Sequence, residues 1–209
     1  MKAKLKICGM KIPENIKRVS DLQPDYMGFI FYSGSKRYVE DLPPAQLLDL
    51  PEGVKRVGVF VDETLDEVVR IKENYHLQGL QLHGNETPIY CMSLKSKLSD
   101  DTLIIKAFGV DEDFDFASLS SYQGMVDYFL FDTQTPDHGG SGRTFNWQLL
   151  EHYTLNVPYF LSGGIGPEQV EELRKIDDDR LYAIDVNSRF ETEPGLKDID
   201  KLKDFKARL

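Results

Sequence analysis

The sequence predicts an α/β protein in which eight parallel strands close into a (β/α)8, or TIM, barrel. Short apolar runs rich in Val, Ile, Phe and Tyr recur evenly along the 209 residues, and segments with helical spacing lie between them. The runs lack strict alternation, which is typical of strands buried on both faces. A doubly wound open sheet would show the same order of elements, but a count of eight units favours closure.

Each predicted element follows from its own pattern. The strands are expected at residues 4–9, 26–31, 55–61, 79–83, 103–108, 128–132, 158–162 and 181–186. Helical spacing predicts helices at 13–22, 64–75, 88–98, 146–153, 167–176 and 198–209, with a short segment at 42–50 and a weak one at 114–122. No linker or change of composition divides the chain, so we expect one domain over residues 1–209.

Composition excludes several classes of function. A net charge of −10 and a pI near 4.9 argue against a nucleic-acid partner, which needs a basic surface. No apolar run approaches the roughly 20 residues that span a bilayer, and the start MKAKLKICGM is too quickly polar for a signal peptide. Two cysteines far apart suit a reducing compartment. We therefore expect a cytoplasmic protein without nucleic-acid or membrane partners.

Chemistry in a parallel barrel lies at the carboxyl ends of the strands, and Cys8 and Asp132 are expected there. Cys8 is either an inert buried thiol or, before Gly9 at the rim, a half-exposed base. Asp132 ends the run FLFD. It is either a turn residue or a carboxyl whose pKa is raised at an apolar mouth, as a general acid requires.

Three further charged side chains follow predicted strands. Arg37, in SGSKRY, is either solvated or turned inward, where its fork suits a carboxylate. His83 ends the fourth strand and is a candidate ligand or proton carrier, although an isolated histidine is commonly structural. Lys106 ends the fifth strand, where a lysine could form a Schiff base. The histidines are scattered, and no metal site is expected.

Glycine-rich loops follow the sixth and seventh strands. Residues 138–147, HGGSGRTFNW, are read as a mobile lid or an ordinary flexible loop, with Asn146 capping the next helix. Residues 161–170, LSGGIGPEQV, join a strand to a helix whose amides and dipole favour an anion. The loop after the eighth strand adds Asn187 and Ser188. In barrels these two loops commonly hold phosphate, so a phosphorylated small molecule is expected.

Several of these strings together resemble the phosphoribosylanthranilate isomerase family of tryptophan biosynthesis. They are KICGM, GFIFYSGSKRYV, RVGVFVDE, LQLHGNE, IKAFGV, FLFDT, GGSGRTFNW, LSGGIGPEQV and DVNSRFETEPGLKD, in the family's order and over essentially the whole chain. The resemblance implies a (β/α)8 barrel. It also implies an Amadori rearrangement of N-(5-phosphoribosyl)anthranilate to 1-(2-carboxyphenylamino)-1-deoxyribulose 5-phosphate without metal or organic cofactor.

The resemblance also implies roles for individual residues. Cys8, in KICG, would be the general base that removes the C2 proton of the sugar, and Asp132 the general acid that protonates the furanose oxygen. Arg37 would hold the anthranilate carboxylate, with His83 as a further substrate-binding residue. Gly163, Gly164, Asn187 and Ser188 match the phosphate loops.

Some features leave alternatives open. Arg189 stands where the family usually has a small residue, and it either adds a phosphate contact or points outward. Lys36 stands where Pro is frequent, and Gly166 where Asn is. A Schiff-base aldolase or lyase using Lys106, or a noncatalytic barrel that binds a phosphorylated ligand, are the rival functions. The oligomeric state is left between a monomer and a homodimer.

Overall fold

The computed structural model describes residues 3–134 and 145–209, and it confirms the predicted barrel. Eight parallel strands pair in chain order, and β1 pairs with β8 to close the ring. The strands are β1 (Lys4–Ile7), β2 (Tyr26–Ile30), β3 (Lys55–Phe60), β4 (Gly79–Leu82), β5 (Leu103–Val110), β6 (Tyr128–Thr133), β7 (Tyr159–Leu161) and β8 (Leu181–Val186). All eight predicted strands are present, within a few residues at their ends. The organisation of the whole chain as one domain stays a prediction.

The barrel holds two layers of apolar side chains. One cluster fills its interior and includes Tyr26, Val57, Ile105, Leu130 and Phe160. A larger cluster lies between the strands and the surrounding helices. Both faces of each strand are therefore buried, which explains why the strand sequences are nearly continuous apolar runs.

Six α-helices lie among the strands in the described residues. They are α1 (Pro13–Ser20), α2 (Ala45–Leu48), α3 (Leu65–Asn74), α4 (Pro88–Lys95), α5 (Val170–Leu173) and α6 (Ile199–Arg208). Thr64 and Thr87 cap α3 and α4, because each hydroxyl accepts a hydrogen bond from the backbone N–H three residues later. Pro13 begins α1, as predicted, because its fixed φ suits the first helical position. None of these helices is long and apolar enough to cross a membrane.

Three predicted helices are shorter or tighter than expected. The segment 167–176 forms a 3₁₀ turn, Pro167–Gln169, followed by the four-residue α5. The segments 114–122 and 146–153 form the 3₁₀ helices Phe116–Tyr122 and Trp147–His152. A helix of one turn has little dipole, so the dipole expected behind the loop at 161–170 contributes little.

A hairpin after β8 was not predicted. Strands β9 (Glu191–Glu193) and β10 (Leu196–Lys197) pair antiparallel, and Gly195 turns the chain at φ +87°.

The side chain of Asn146 caps the 3₁₀ helix that starts at Trp147, as predicted. The predicted lid at 138–147 lies outside the described residues from 138 to 144.

Candidate active site

Cys8 lies just after β1, at the carboxyl-end mouth of the barrel. Its backbone N–H still donates to Val186 in β8, so the residue is held in line with the sheet. Gly28 in β2 makes room for the thiol, because a Cβ added there would lie 2.6 Å from Sγ. Gly9 follows at φ +75°, and a Cβ there would lie 2.6 Å from both Arg37 Cδ and Asn187 Oδ1. The turn after β1 thus brings the thiol beside two other predicted site residues.

The thiol is more buried than the sequence suggested. Only 5% of Cys8 is exposed, and burial raises the pKa of the thiol. The charges of Lys6 and Lys197 act in the opposite direction and favour the thiolate. The expectation of a half-exposed, ordinary thiol is therefore wrong.

Beneath the thiol lies a buried ion pair that sequence reasoning missed. Lys6 Nζ and Asp185 Oδ2 are 2.9 Å apart, and the two residues are register partners on β1 and β8. Burial raises the pKa of Asp185, against the lowering effect of Lys6, and the charge of Asp132 raises it further. Asp185 in turn raises the pKa of Cys8. Asp185 is therefore within electrostatic reach of both predicted catalytic groups, which places them around one mouth.

Asp132 is buried near the end of β6, and its carboxyl faces the ring of His83, which directly follows β4. The Nε2 atom of His83 lies 3.4 Å from Asp132 Oδ2, and its Nδ1 lies 2.7 Å from Gln81 Nε2. With Gln81 donating to Nδ1, the ring carries its proton on Nε2 and directs it at the carboxyl. The other oxygen, Oδ1, accepts from the backbone N–H of Thr133. The structure thus brings His83 to the predicted acid.

Arg37 is ion-paired within the protein. Its Nε lies 2.9 Å from Glu191 Oε1 and its Nη2 lies 2.7 Å from Glu191 Oε2, so β9 holds the guanidinium from one side. The same carboxylate lies 2.6 Å from the ammonium of Lys197, whose side chain is completely buried. Burial lowers the pKa of Lys197 to about 8, although Glu191 opposes the effect. Arg37 is therefore turned inward rather than solvated.

The two predicted phosphate loops lie at the same end of the barrel as this cluster. Gly163 and Gly164 both have positive φ, at +89° and +64°, a conformation that other residues rarely adopt. A Cβ on Gly163 would lie 2.6 Å from the Thr133 backbone nitrogen, so this loop packs against the end of β6. After β8, Asn187 precedes the 3₁₀ turn Ser188–Phe190. All four predicted phosphate residues thus lie on loops at the same end of the barrel.

Arg189 reaches across to the neighbouring loop. Its guanidinium pairs with the carboxylate of Glu168, and both side chains are about half exposed. The ion pair links the two predicted phosphate loops at the surface.

Lys106 is locked within the barrel. Its ammonium donates to the backbone carbonyls of Gly84 and Ala107 and pairs with Glu86 at 3.2 Å. Burial lowers the pKa of Lys106, which Glu86 opposes. Because only 2% of the residue is exposed, its nitrogen is not presented to a carbonyl substrate. Glu86 also accepts from the N–H groups of Asp62 and Gly84, so the pair braces the loop that follows β4.

The buried charged residues were missed for different reasons. Lys6 and Asp185 interrupt otherwise apolar strands that are neighbours in a closed barrel, and that signal was readable in the sequence. Glu191 and Lys197 lie in the polar run ETEPGLK, which shows no strand alternation. Within the described residues, no three His, Cys, Asp or Glu side chains group as metal ligands. The arrangement offers a thiol, a carboxyl and paired cations around one mouth, which suits proton transfers on an anionic substrate.

The chain is similar to known proteins in both sequence and fold. The family model described as N-(5'phosphoribosyl)anthranilate (PRA) isomerase matches residues 5–208. The N-(5'-phosphoribosyl)anthranilate isomerase of Parabacteroides distasonis is 46% identical over 203 residues, which cover 96% of this chain and 90% of that protein.

Two solved structures extend the comparison. A phosphoribosyl anthranilate isomerase in complex with reduced 1-(o-carboxyphenylamino)-1-deoxyribulose 5-phosphate has a TM-score of 0.79 at 33% identity, covering 98% of this chain and 96% of its own. A structure of monomers generated from the dimeric phosphoribosylanthranilate isomerase of Thermotoga maritima has a TM-score of 0.80 at 33% identity, covering 99% and 98%. The chain therefore belongs to the N-(5'-phosphoribosyl)anthranilate isomerase family.

Proposed function

We propose that Cys8 and Asp132 catalyse the family's reaction in this chain. That reaction is the rearrangement of N-(5-phosphoribosyl)anthranilate to 1-(2-carboxyphenylamino)-1-deoxyribulose 5-phosphate, a step of tryptophan biosynthesis. One observation carries the assignment: Cys8 follows β1 and Asp132 ends β6, so both lie at the carboxyl end of one closed barrel, where Asp185 raises the pKa of Cys8 and Asp132 raises that of Asp185. A sugar bound between them would have the base on one side and the acid on the other.

Asp132 is the group that opens the ring. Its protonated carboxyl donates to the furanose oxygen while the bond from that oxygen to C1 breaks, and the anthranilate nitrogen supplies the electrons that form a Schiff base. The carboxylate left behind accepts from the Thr133 N–H and faces the His83 ring, which stabilise the charge it has gained. A positioned acid of this kind contributes about 10²–10⁴-fold in rate.

Cys8 is the group that removes the C2 proton. Burial opposes its ionisation, but the Schiff base is a cation next to Cys8 and favours the thiolate form, which takes up the C2 proton and becomes the thiol. The same cation makes the C2–H bond acidic, so a modest base is enough. Removal of the proton gives an enolamine, which tautomerises to the ketone as a proton moves to C1 and the C2 hydroxyl loses its own.

The two ends of the substrate meet different parts of the mouth. The phosphate would bind at Gly163, Gly164, Asn187 and Ser188, where two glycines with positive φ expose backbone amides. The anthranilate carboxylate would bind Arg37, whose Nη1 is not used by Glu191. Holding both ends sets the sugar in place between acid and base.

The rival functions have less support. A Schiff-base enzyme would need a free lysine amine, and Lys106 is bound by carbonyls and Glu86. A barrel that only binds a phosphorylated ligand has no need of a buried thiol and a buried carboxyl at the same end of the barrel. Turnover of freshly generated phosphoribosylanthranilate, followed by the loss of its fluorescence, tests the assignment. Ligand binding without turnover would contradict it.

We propose a cytoplasmic location, because both cysteines are free and buried, as in a reducing compartment. Monomeric and dimeric forms both occur among the family's solved structures. The choice between a monomer and a homodimer stays open for this chain.

A further inference from the structure

We propose that the buried Glu191–Lys197 pair is a positioning device, which fixes the Arg37 guanidinium for the substrate's carboxylate and orients the Asn187 amide for its phosphate end. The inference rests on the proposed function and deepens it. It concerns the hairpin β9–β10, whose residues the proposed chemistry does not otherwise use.

Glu191 fixes the direction in which Arg37 can bind. Nε and Nη2 of the guanidinium both bond to the carboxylate, which leaves Nη1 as the free end of the fork. The Arg37 side chain is 14% exposed and that of Glu191 only 4%, so the guanidinium is the more accessible member of the pair. An arginine held in this way loses little freedom when a carboxylate binds.

Lys197 fixes the orientation of Asn187. Its ammonium lies 2.7 Å from Asn187 Oδ1, and an ammonium can only donate hydrogen bonds. The amide oxygen is therefore the atom that faces the lysine, and the NH₂ group is left for an acceptor. A phosphate oxygen is such an acceptor, and Asn187 stands on the predicted phosphate loop.

The charges of the cluster match the ligand. Arg37 and Lys197 carry two positive charges and Glu191 one negative charge, so the three side chains present one net positive charge to one carboxylate. Without Glu191, two buried cations would face each other, and such an uncompensated site is strongly unfavourable. The pair thus holds the Arg37 side chain in place.

Two hydrogen bonds attach the hairpin to α1. The backbone N–H of Lys197 donates to Asn15 Oδ1, and its carbonyl accepts from Asn15 Nδ2. Asn15 lies in α1, which follows Cys8 after a short turn. The positions of Arg37, Asn187 and the thiol are therefore set by one connected group of contacts.

The test compares Glu191→Gln and Lys197→Met with Glu193→Gln, an exposed carboxylate on the same hairpin, after each variant has been shown to fold by circular dichroism. Turnover of phosphoribosylanthranilate gives kcat and KM. Titration calorimetry with anthranilate and, separately, with inorganic phosphate reports the two ends of the site. The binding measurements do not depend on turnover, so an inactive wild-type protein would contradict the proposed function without deciding this inference.

We expect Glu191→Gln to lower kcat/KM by about 10²-fold, as for a misplaced binding group. The same variant should bind anthranilate several-fold more weakly and inorganic phosphate normally. Lys197→Met should weaken the binding of both ligands, because it disturbs Glu191 and Asn187 together. The Glu193→Gln control should behave as wild type. Unchanged anthranilate binding in Glu191→Gln, or equal losses of both ligands in that variant, would overturn the proposal.

Glu191→Asp provides a second route if Glu191→Gln fails to fold. It keeps the charge but is one methylene shorter, so it cannot reach both Arg37 and Lys197, and the same loss of anthranilate is expected. Wild-type behaviour of Glu191→Asp would contradict the proposal.

The pH dependence of anthranilate binding is a measurement that a purely structural role would not change. Lys197 faces Glu191, Cys8 and Arg37, and it loses its proton above about pH 8, so the affinity of the wild type for anthranilate should fall above that pH. That fall should be absent in Lys197→Met, and its persistence there would also contradict the proposal.

Discussion

The ammonium of Lys6 and the carboxylate of Asp185 form an ion pair, 2.9 Å apart, inside the barrel beneath the thiol of Cys8. They are register partners on the two strands that close the barrel. Burial would lower the pKa of Lys6, but Asp185 and Cys8 raise it above its ordinary value, so the lysine stays charged. The second oxygen of Asp185, Oδ1, has no hydrogen-bond partner within the described part of the chain.

Lys6→Met should destabilise the protein by about 3–5 kcal/mol, because it leaves a buried carboxylate without its partner. Urea unfolding measures the loss. The double variant Lys6→Met with Asp185→Asn removes both charges and should recover part of the stability. If the single and double variants were equally unstable, the cost would come from lost packing and not from the unpaired charge.

Gly28→Ala should lower turnover through the position of the thiol. The added methyl would lie 2.6 Å from Sγ of Cys8, so the thiol or the strand must move. We expect about a 10²-fold loss of kcat, as for a misplaced catalytic group. Gly53→Ala is the control, since a Cβ there meets nothing within 4 Å. Normal kcat in Gly28→Ala would mean that the position of the thiol is not critical.

The positions of the strands and of the barrel's mouth could be predicted because they follow from short sequence patterns. Buried strands are apolar on both faces, and parallel strands bring their carboxyl ends together, which placed Cys8 and Asp132 correctly at one end. The pair Arg37–Glu191 could not be predicted, since the residues are 154 positions apart and neither lies in a periodic pattern. Pro194–Gly195 was a turn signal that could have indicated the hairpin.

Helix type was harder to predict than helix position. The segment 167–176 has helical spacing but forms only a 3₁₀ turn and α5. Spacing reports which face is buried, and both helix types can bury the same few side chains over so short a length.

Stability should fall as the pH rises above about 10, the ordinary pKa of tyrosine. Burial raises the pKa of seven tyrosines, so each keeps its proton in the folded protein while the unfolded chain loses it. They are Tyr26, Tyr75, Tyr90, Tyr122, Tyr128, Tyr153 and Tyr159. Urea unfolding across this range measures the decline, and Tyr159→Phe should make it shallower. A stability that did not change between about pH 9 and pH 12 would contradict the prediction.

Arg37→Ala should mainly weaken binding of the aromatic acid part of the substrate. The variant removes the guanidinium that we propose binds the anthranilate carboxylate, so KM should rise more than kcat falls. The comparison is with an analogue that lacks the carboxylate, whose kinetics should be nearly the same in variant and wild type. An equal loss for both compounds would show that Arg37 acts through the structure of the mouth and not on the carboxylate.

The division of labour between Cys8 and Asp132 is the central claim, and isotope effects with substrate deuterated at C2 test it most directly. In Cys8→Ser, a weaker base makes C2 proton removal limit turnover, so we expect a full primary isotope effect on kcat. In Asp132→Asn, ring opening becomes limiting and the isotope effect should disappear, while both variants retain their affinity for inorganic phosphate. The same isotope effect in both variants, or near-normal turnover in either, would contradict the assignment of base and acid.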